Sequence, residues 1–420
     1  MSALTLLFAG AVLLALLLKL WLATRQMRHV ALHRDRVPAA FAGSVSLQAH
    51  RRAADYTLAR GRFGLLQAAF SSALLLVWTL LGGLDALNVA VRDTVQPLLG
   101  DMGYQLALLA AFAVIGAVLD LPFDLYRTFV LEQRFGFNRM TWKLYLGDQL
   151  KGVLVGVVVG LPLAALVLWI MGATGSLWWL WAWVAWTVFQ LLALVLYPTL
   201  IAPLFNRFTP LPDGELKAQV QGLMSRCGFA AKGLFVMDGS RRSAHANAYF
   251  TGLGAAKRVV FFDTLLSKLN GNEIAAVLAH ELGHYKHRHV LKRMLLVFGL
   301  SLAGLALLGW LASSAGFYTG LGVRPSLDAP NDALALLLFM LALPPFMFLI
   351  SPLGARLSRR HEFEADAYAC AQADGRDLAN ALLKLHEDNA ATLTPDPLYA
   401  RFYYSHPPAT ERLAALRAQS

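Results

Sequence analysis

Apolar stretches long enough to cross a bilayer recur seven times in this chain, near residues 3–23, 64–89, 103–125, 151–173, 177–203, 291–314 and 332–353. A span needs roughly 20 mostly apolar residues, because the hydrocarbon is about 30 Å thick and a helix rises about 1.5 Å per residue. Inside lipid the backbone must satisfy its own hydrogen bonds, so runs of this kind fold as helices. The expected fold class is mainly α, a polytopic membrane protein with about seven transmembrane helices. Composition agrees: 57% of residues are hydrophobic and 15% charged, against about a quarter charged in soluble domains. The first run, from Leu4 to Ala23, is interrupted only by Lys19, and its positive charges follow it. It is expected to be an uncleaved span with its N-terminal end outside.

Lys and Arg set the rest of the expected topology. Eight arginines lie between Thr24 and Phe63, which marks that loop as cytoplasmic. Residues 89–102 hold only Arg92, the loop after the third run holds Arg127, Arg134, Arg139 and Lys143, and the turn after the fourth holds no basic residue. The alternation predicts an N-out, C-in chain in four parts: residues 1–203 with spans one to five, a cytoplasmic insert over 204–290, spans six and seven over 291–353, and a cytoplasmic tail over 354–420. The net charge of +11 belongs to this positive-inside pattern. The basic residues flank apolar spans and form no nucleic-acid motif, so no nucleic-acid partner is expected. Cys227 and Cys370 stand far apart and outside any CxxC pair, which excludes a disulfide framework and a thiolate metal site.

Within the insert, "GLFVMDGS", "HANAYFTG" and "RVVFFDTLL" carry β-branched and aromatic residues bounded by Gly and Asp, the pattern of a small sheet or hairpin. "NGNEIAAVLAHELGHYKHRH" follows. Asn270 or Asn272 can cap a helix there, with Ile274, Val277, Leu278 and Leu282 at helical spacing. On that helix His280 and His284 share a face, and Glu281 sits beside them. This is the HExxH arrangement, in which two imidazoles hold zinc and the glutamate acts as general base for attack on a peptide carbonyl. A catalytic zinc needs a third protein ligand. His287 and Val290 stand where metzincins carry Gly and His, so the ligand must come from elsewhere. The best candidate segment is "SRRHEFEADAYA", residues 358–369, with Glu362, Glu364 and Asp366. The hairpin of spans six and seven returns it to the side of HExxH. Glu362 and Asp366 share a helix face, so one can ligate while the other orients a ligand histidine; spacing alone does not choose between Glu362 and Glu364. His287 falls on the His280 and His284 face by periodicity. A structural or solvated role suits it and His289, since a fourth protein ligand would close the open position that catalysis needs.

Several motifs occur in a fixed order: "LPFDLYRTFVLEQRFGFN", "PLFNRFTPLPDGEL", "VMDGSRRSAHANAYFTG", "HELGH", "SRRHEFEAD" and "YSHPPATERL". Together they resemble the type I CAAX prenyl protease family, integral-membrane zinc proteases, over most of the chain. The resemblance implies one zinc per chain on His280, His284 and Glu362, Glu281 as base, and Asp366 orienting a histidine ligand. It also implies that Asn247 contacts substrate backbone, His406 donates to the developing oxyanion, and Arg412 braces the site. It implies seven helices around a water-filled chamber, with a peptide or protein substrate, prenylated or membrane-bound. Glu364 stands where glutamine is the more usual residue of that family, and His361 where an aromatic or basic residue is common. The Ala-, Leu- and Arg-rich composition suggests a bacterium, hence an inner membrane, where turnover of membrane proteins is expected as the role ahead of CAAX processing.

A transporter or non-catalytic scaffold built on the same chamber would place ionisable residues inside the spans. The runs carry few, with Lys19, Asp85 and Asp120 near their ends, and the polar chemistry collects in the insert and tail. A protease cutting within a membrane helix would carry HExxH inside an apolar span, whereas "NGNE" and "YKHRH" flank it here.

Overall fold

The computed structural model describes residues 2–230, 233–251 and 257–418. Seven of its helices are long and apolar enough to cross a membrane: α1 (Ala3–His33), α2 (Leu47–Trp78), α3 (Gly83–Glu132), α4 (Trp142–Ala173), α5 (Gly175–Phe205), α8 (His289–Ala312) and α9 (Asp332–Gln372). Between the fifth and sixth lie β1 (Phe208–Pro210), α6 (Glu215–Arg226), β2 (Gly233–Met237), β3 (Ala248–Thr251), β4 (Arg258–Phe262) and α7 (Gly271–Lys286). After α9 come α10 (Gly375–Asp388), α11 (Pro397–Tyr403) and α12 (Ala409–Arg417).

Caps and glycines set the ends of the spans. The Ser2 and Ser46 hydroxyls accept from the Thr5 and Ala49 amides, each at 3.1 Å, and start α1 and α2. α2 ends at Trp78, and Gly82 takes φ 79° to turn the chain into α3. The sequence-based span over 64–89 straddles this turn, because a hydropathy window cannot see a glycine turn within an apolar run. The expected loop over 89–102 is helical as well; α3 runs through it and breaks at Gly100, at φ 68° and ψ −172°. Outward faces of the spans leave Leu98, Val114, Leu150 and Trp310 exposed, which suits lipid rather than water.

The polar half is built on a four-stranded mixed sheet in the order β1-β2-β4-β3. β2 pairs parallel with β4, β1 antiparallel with β2, and β3 antiparallel with β4, with Ala248 opposite Phe261. The small sheet expected from the sequence is present, with β1 added to it; Gly252 of "HANAYFTG" lies outside the described residues. β3 is an edge strand. Leu223, Val259, Phe261, Ile274, Leu278 and Leu282 lie in one apolar core shared by sheet and helices.

α7 starts with a capping box. The Asn270 side chain accepts from the Glu273 amide, and Glu273 accepts from the Asn270 amide, both at 2.9 Å. Lys384 of α10 pairs with buried Glu273 at 2.8 Å. α9 leaves its apolar segment without a break and continues as a helix into the polar half, where it packs on α7. Gly283 allows the approach: a Cβ there would stand 2.9 Å from the Ala365 Cα and 3.0 Å from the Ala365 carbonyl oxygen. Backbone cannot yield as a side-chain tip can, so Gly283→Ala is expected to cost about 1–3 kcal/mol and lower the melting temperature measured in detergent. Gly304→Ala, whose Cβ would meet only the Phe339 ring at 4.0 Å, is the comparison variant and should melt close to the unsubstituted protein.

Candidate metal centre and active site

His280 and His284 lie on one face of α7, and α9 brings Glu362 against them. The Glu362 carboxylate faces both imidazoles, Oε2 at 3.5 Å from His280 Nε2 and Oε1 at 3.4 Å from His284 Nε2. One ligand atom from each of the three residues lies within 4.8 Å of the others. Glu362 is buried, and its Oε2 has no hydrogen-bond partner. An orphaned carboxylate oxygen beside two imidazole nitrogens is the donor set a cation such as zinc takes. The spacing ambiguity is thereby narrowed: Glu362 joins the histidines, and Glu364 does not.

The other faces of the rings are held. Asp366 Oδ1 lies 2.8 Å from His280 Nδ1, leaving Nε2 turned to Glu362. Arg412 of α12 donates to Asp366 from Nε at 2.8 Å and from Nη2 at 2.5 Å, and its Nη1 stands 3.8 Å from Glu362. All four of these side chains are buried. Burial disfavours the charged form of His280, but the carboxylates of Asp366 and Glu362 outweigh it and pull the ring up to about 9. Glu281 is half-buried at the wall of a cavity of about 1080 Å³ that Glu362, Asn247 and His406 also line. Burial pushes the Glu281 carboxyl up, opposed by the His280 and His284 rings.

The remaining expected residues reach the same cavity from other elements. Asn247 immediately precedes the edge strand β3; its carbonyl accepts from the Phe262 amide at 3.0 Å, and its side-chain oxygen accepts from the Ala248 amide at 2.9 Å. His406, in the turn between α11 and α12, is exposed and holds Nε2 3.4 Å from Glu362 Oε1.

Comparison with known proteins identifies the family. Residues 26–207 match the family described as CAAX prenyl protease N-terminal, five membrane helices. Residues 210–420 match peptidase family M48. The chain belongs to peptidase family M48. It is 34% identical over 414 residues to the CAAX prenyl protease 1 homolog of Arabidopsis thaliana, covering 97% of this chain and 96% of that one. It is 32% identical over 406 residues to CAAX prenyl protease 1 of Saccharomyces cerevisiae, covering 92% and 89%. The crystal structure of S. mikatae Ste24p is similar at a TM-score of 0.91 and 31% identity, covering 99% of both chains. The protein is thus a membrane-embedded metalloprotease, an integral multi-pass membrane protein acting on peptide or protein. These relatives are eukaryotic, so they give no support to the bacterial inner membrane expected from composition.

In this M48 peptidase the sequence pattern left two contributors to the site unassigned. α7 ends at Lys286, Arg288 takes φ 55°, and a new helix begins at His289. The face shared by His280, His284 and His287 therefore does not continue, and His287 caps the helix in solvent. His289 instead turns inward, buried, with its Nδ1 2.9 Å from His284 Nδ1 and its Nε2 2.9 Å from Glu364 Oε2. His361 stacks on the His289 ring at 4.0 Å, and Arg360 donates to Glu364 at 3.0 Å. Glu364 thus reaches His284 through a second imidazole, and this relay holds the His284 ring as Asp366 holds His280. Its one sequence signal is the histidine five residues after His284.

Arg412 is the least replaceable of the supporting groups. Arg412→Leu leaves Asp366 buried without its counter-ion and is expected to cost about 3–5 kcal/mol of stability, read as a large fall in the temperature of thermal unfolding. The double variant Asp366→Leu/Arg412→Leu should recover much of that loss; a double variant less stable than either single one would contradict a buried pair.

Proposed function

We propose that His280, His284 and Glu362 hold one zinc ion and that the protein hydrolyses a peptide bond near the C-terminus of prenylated CAAX proteins. The observation that carries this is the buried His-His-Glu group opening on the same cavity as Glu281. Zinc held there supplies a Lewis acid and brings the pKa of water down to about 7. Glu281, one residue along from His280, takes the proton from the attacking water and passes it to the leaving amine. His406 donates to the oxygen of the tetrahedral intermediate, where charge develops. An extended substrate adds to the free edge of β3 beside Asn247, so main-chain hydrogen bonds fix its register. Asp366 and Arg412 hold the His280 ring in place throughout. The cytoplasmic face of the membrane is the proposed side for sheet, α7 and tail, on the strength of the arginine-rich segment before Phe63. The divisions at residues 203, 290 and 353 remain the proposed boundaries between spans, insert and tail.

The test is cleavage of a farnesylated CAAX peptide and its unprenylated twin by the purified protein. Glu281→Gln is expected to keep its zinc and lose about 10²- to 10⁴-fold in rate. A Glu281→Gln protein that carries zinc and cleaves as fast as the unsubstituted enzyme would sink the assignment of the base. Cleavage of the prenylated peptide alone would show that the lipid is read.

Metal uptake carries a pH signature. Without metal the His280 ring is protonated at neutral pH, and zinc must displace that proton. Affinity is therefore expected to rise with pH, by about tenfold per unit from this ring alone, and to level off near the value of about 9 set by Asp366 and Glu362. Titration of the metal-stripped protein at pH 6, 7 and 8 reads this directly; a flat profile would contradict it.

A further inference from the structure

The cavity wall carries cations that the catalytic centre does not use. The carboxylates lining it are Glu281 and Glu362, both already committed to the metal centre. Arg412 lines it too, and is paired with Asp366. Lys19 of α1 and Arg60 of α2 also face it, and neither is paired with a described carboxylate. Lys19 rests 4.9 Å over the Phe348 ring. Arg60 is exposed to the cavity, its guanidinium 5.4 Å from the Tyr56 ring centre. It also acts on Tyr399, Tyr404 and Glu132. Glu132 is already engaged: Oε1 accepts from Tyr56 at 2.6 Å and Oε2 faces His245 at 3.7 Å.

Tyr404 is two residues from His406, and His245 is two residues from Asn247. Arg60 therefore lines the same cavity as both segments that flank the reacting centre. Lys19 lies farther along the same wall. α1 and α2 touch where a Cβ on Gly61 would stand 2.8 Å from Met27, and Lys19 is eight residues before Met27, about 12 Å along the helix. Neither cation makes a direct ion pair among the described residues, and Arg60 meets the Glu132 carboxylate only through Tyr56; cations so placed in a low-dielectric cavity focus a positive potential on whatever enters. A chain seated on β3 beside Asn247 would bring its own end into the cavity that these cations line.

We propose that Arg60, with Lys19 behind it, is an anion site that takes the free C-terminal carboxylate of the peptide being cut. The site rests on the hydrolase reading above and extends it: a fork of guanidinium donors suits a carboxylate, and it fixes how far the scissile bond lies from the chain end. Recognition is then of a terminus rather than of a side-chain sequence.

The test compares a CAAX-type peptide ending in a carboxylate with the same peptide ending in an amide. Both are titrated into the zinc-loaded Glu281→Gln protein, which does not consume them. The acid is expected to bind about tenfold or more tighter. The preference should fall to near unity in Glu281→Gln/Arg60→Gln and persist in Glu281→Gln/Arg60→Lys, which keeps the charge and controls for folding. Equal binding of acid and amide overturns the site, as does a preference that survives Arg60→Gln. Nanodiscs of phosphatidylglycerol instead of phosphatidylcholine add the lipid arm. A preference present in phosphatidylcholine but abolished in phosphatidylglycerol would assign the cations to headgroups and overturn the site. Cleavage by the unsubstituted enzyme is measured separately, so a protein that binds the acid selectively but cuts neither peptide contradicts the hydrolase reading and leaves the anion site standing.

Discussion

The site hangs on Asp366. It sits on α9, 86 residues from His280 and 46 from Arg412, and it is the anion between an imidazole on α7 and a guanidinium on α12. Taking a carboxylate and a guanidinium out of water is expensive, and their attraction repays the cost only when geometry is good and further hydrogen bonds are made. Here Arg412 meets Asp366 through two nitrogens, and the remaining demand of Asp366 Oδ1 is met by His280. A charge that costs this much to bury tolerates few alternative arrangements, so three segments distant in sequence are held to one geometry. That geometry in turn leaves the His280 Nε2 free on the side where Glu362 waits.

Packing makes the junction possible. Gly283 lies between the two histidines' turn and Ala365, and with side chains larger than hydrogen and methyl at that crossing α7 could not come close enough for Glu362 to reach both rings. The same residue type at two scales does different things in this chain: Gly82 and Gly100 bend the backbone at positive φ, whereas Gly283 is needed only for its lack of bulk.

Much of this was legible in the sequence because its signals are periodic or local. Seven apolar runs gave the class, the helical spacing of Ile274, Leu278 and Leu282 placed HELGH on a helix, and Asn270 with Glu273 marked its start. The boundary between α2 and α3 was not legible, since composition stays apolar on both sides of the turn. Glu362 could not be told from Glu364 by spacing, because the choice depends on which face of α9 meets α7. His289 was hidden for a related reason: the positive φ at Arg288 ends one helix and rotates the next, and no periodicity carries across such a break. Asn247 and His406 stood out only through likeness to a family, since an Asn before a strand and a His before two prolines are ordinary loop residues.

Hydrolysis inside a membrane protein needs water, polar side chains and a wall that keeps lipid out. The chain divides those tasks between its halves. α1 and α2 give the cavity a wall of helices whose backbones are internally satisfied; the sheet, α7, α9 and the α11–α12 turn bring the reactive groups to its mouth. α9 belongs to both, apolar through its first half and carrying Glu362, Glu364 and Asp366 farther on. Because one unbroken helix links the span to the candidate metal centre, a displacement of that span relative to α7 would act directly on the distance between Glu362 and the two histidines. The lipid-facing half is therefore part of the active site's geometry and not merely its anchor.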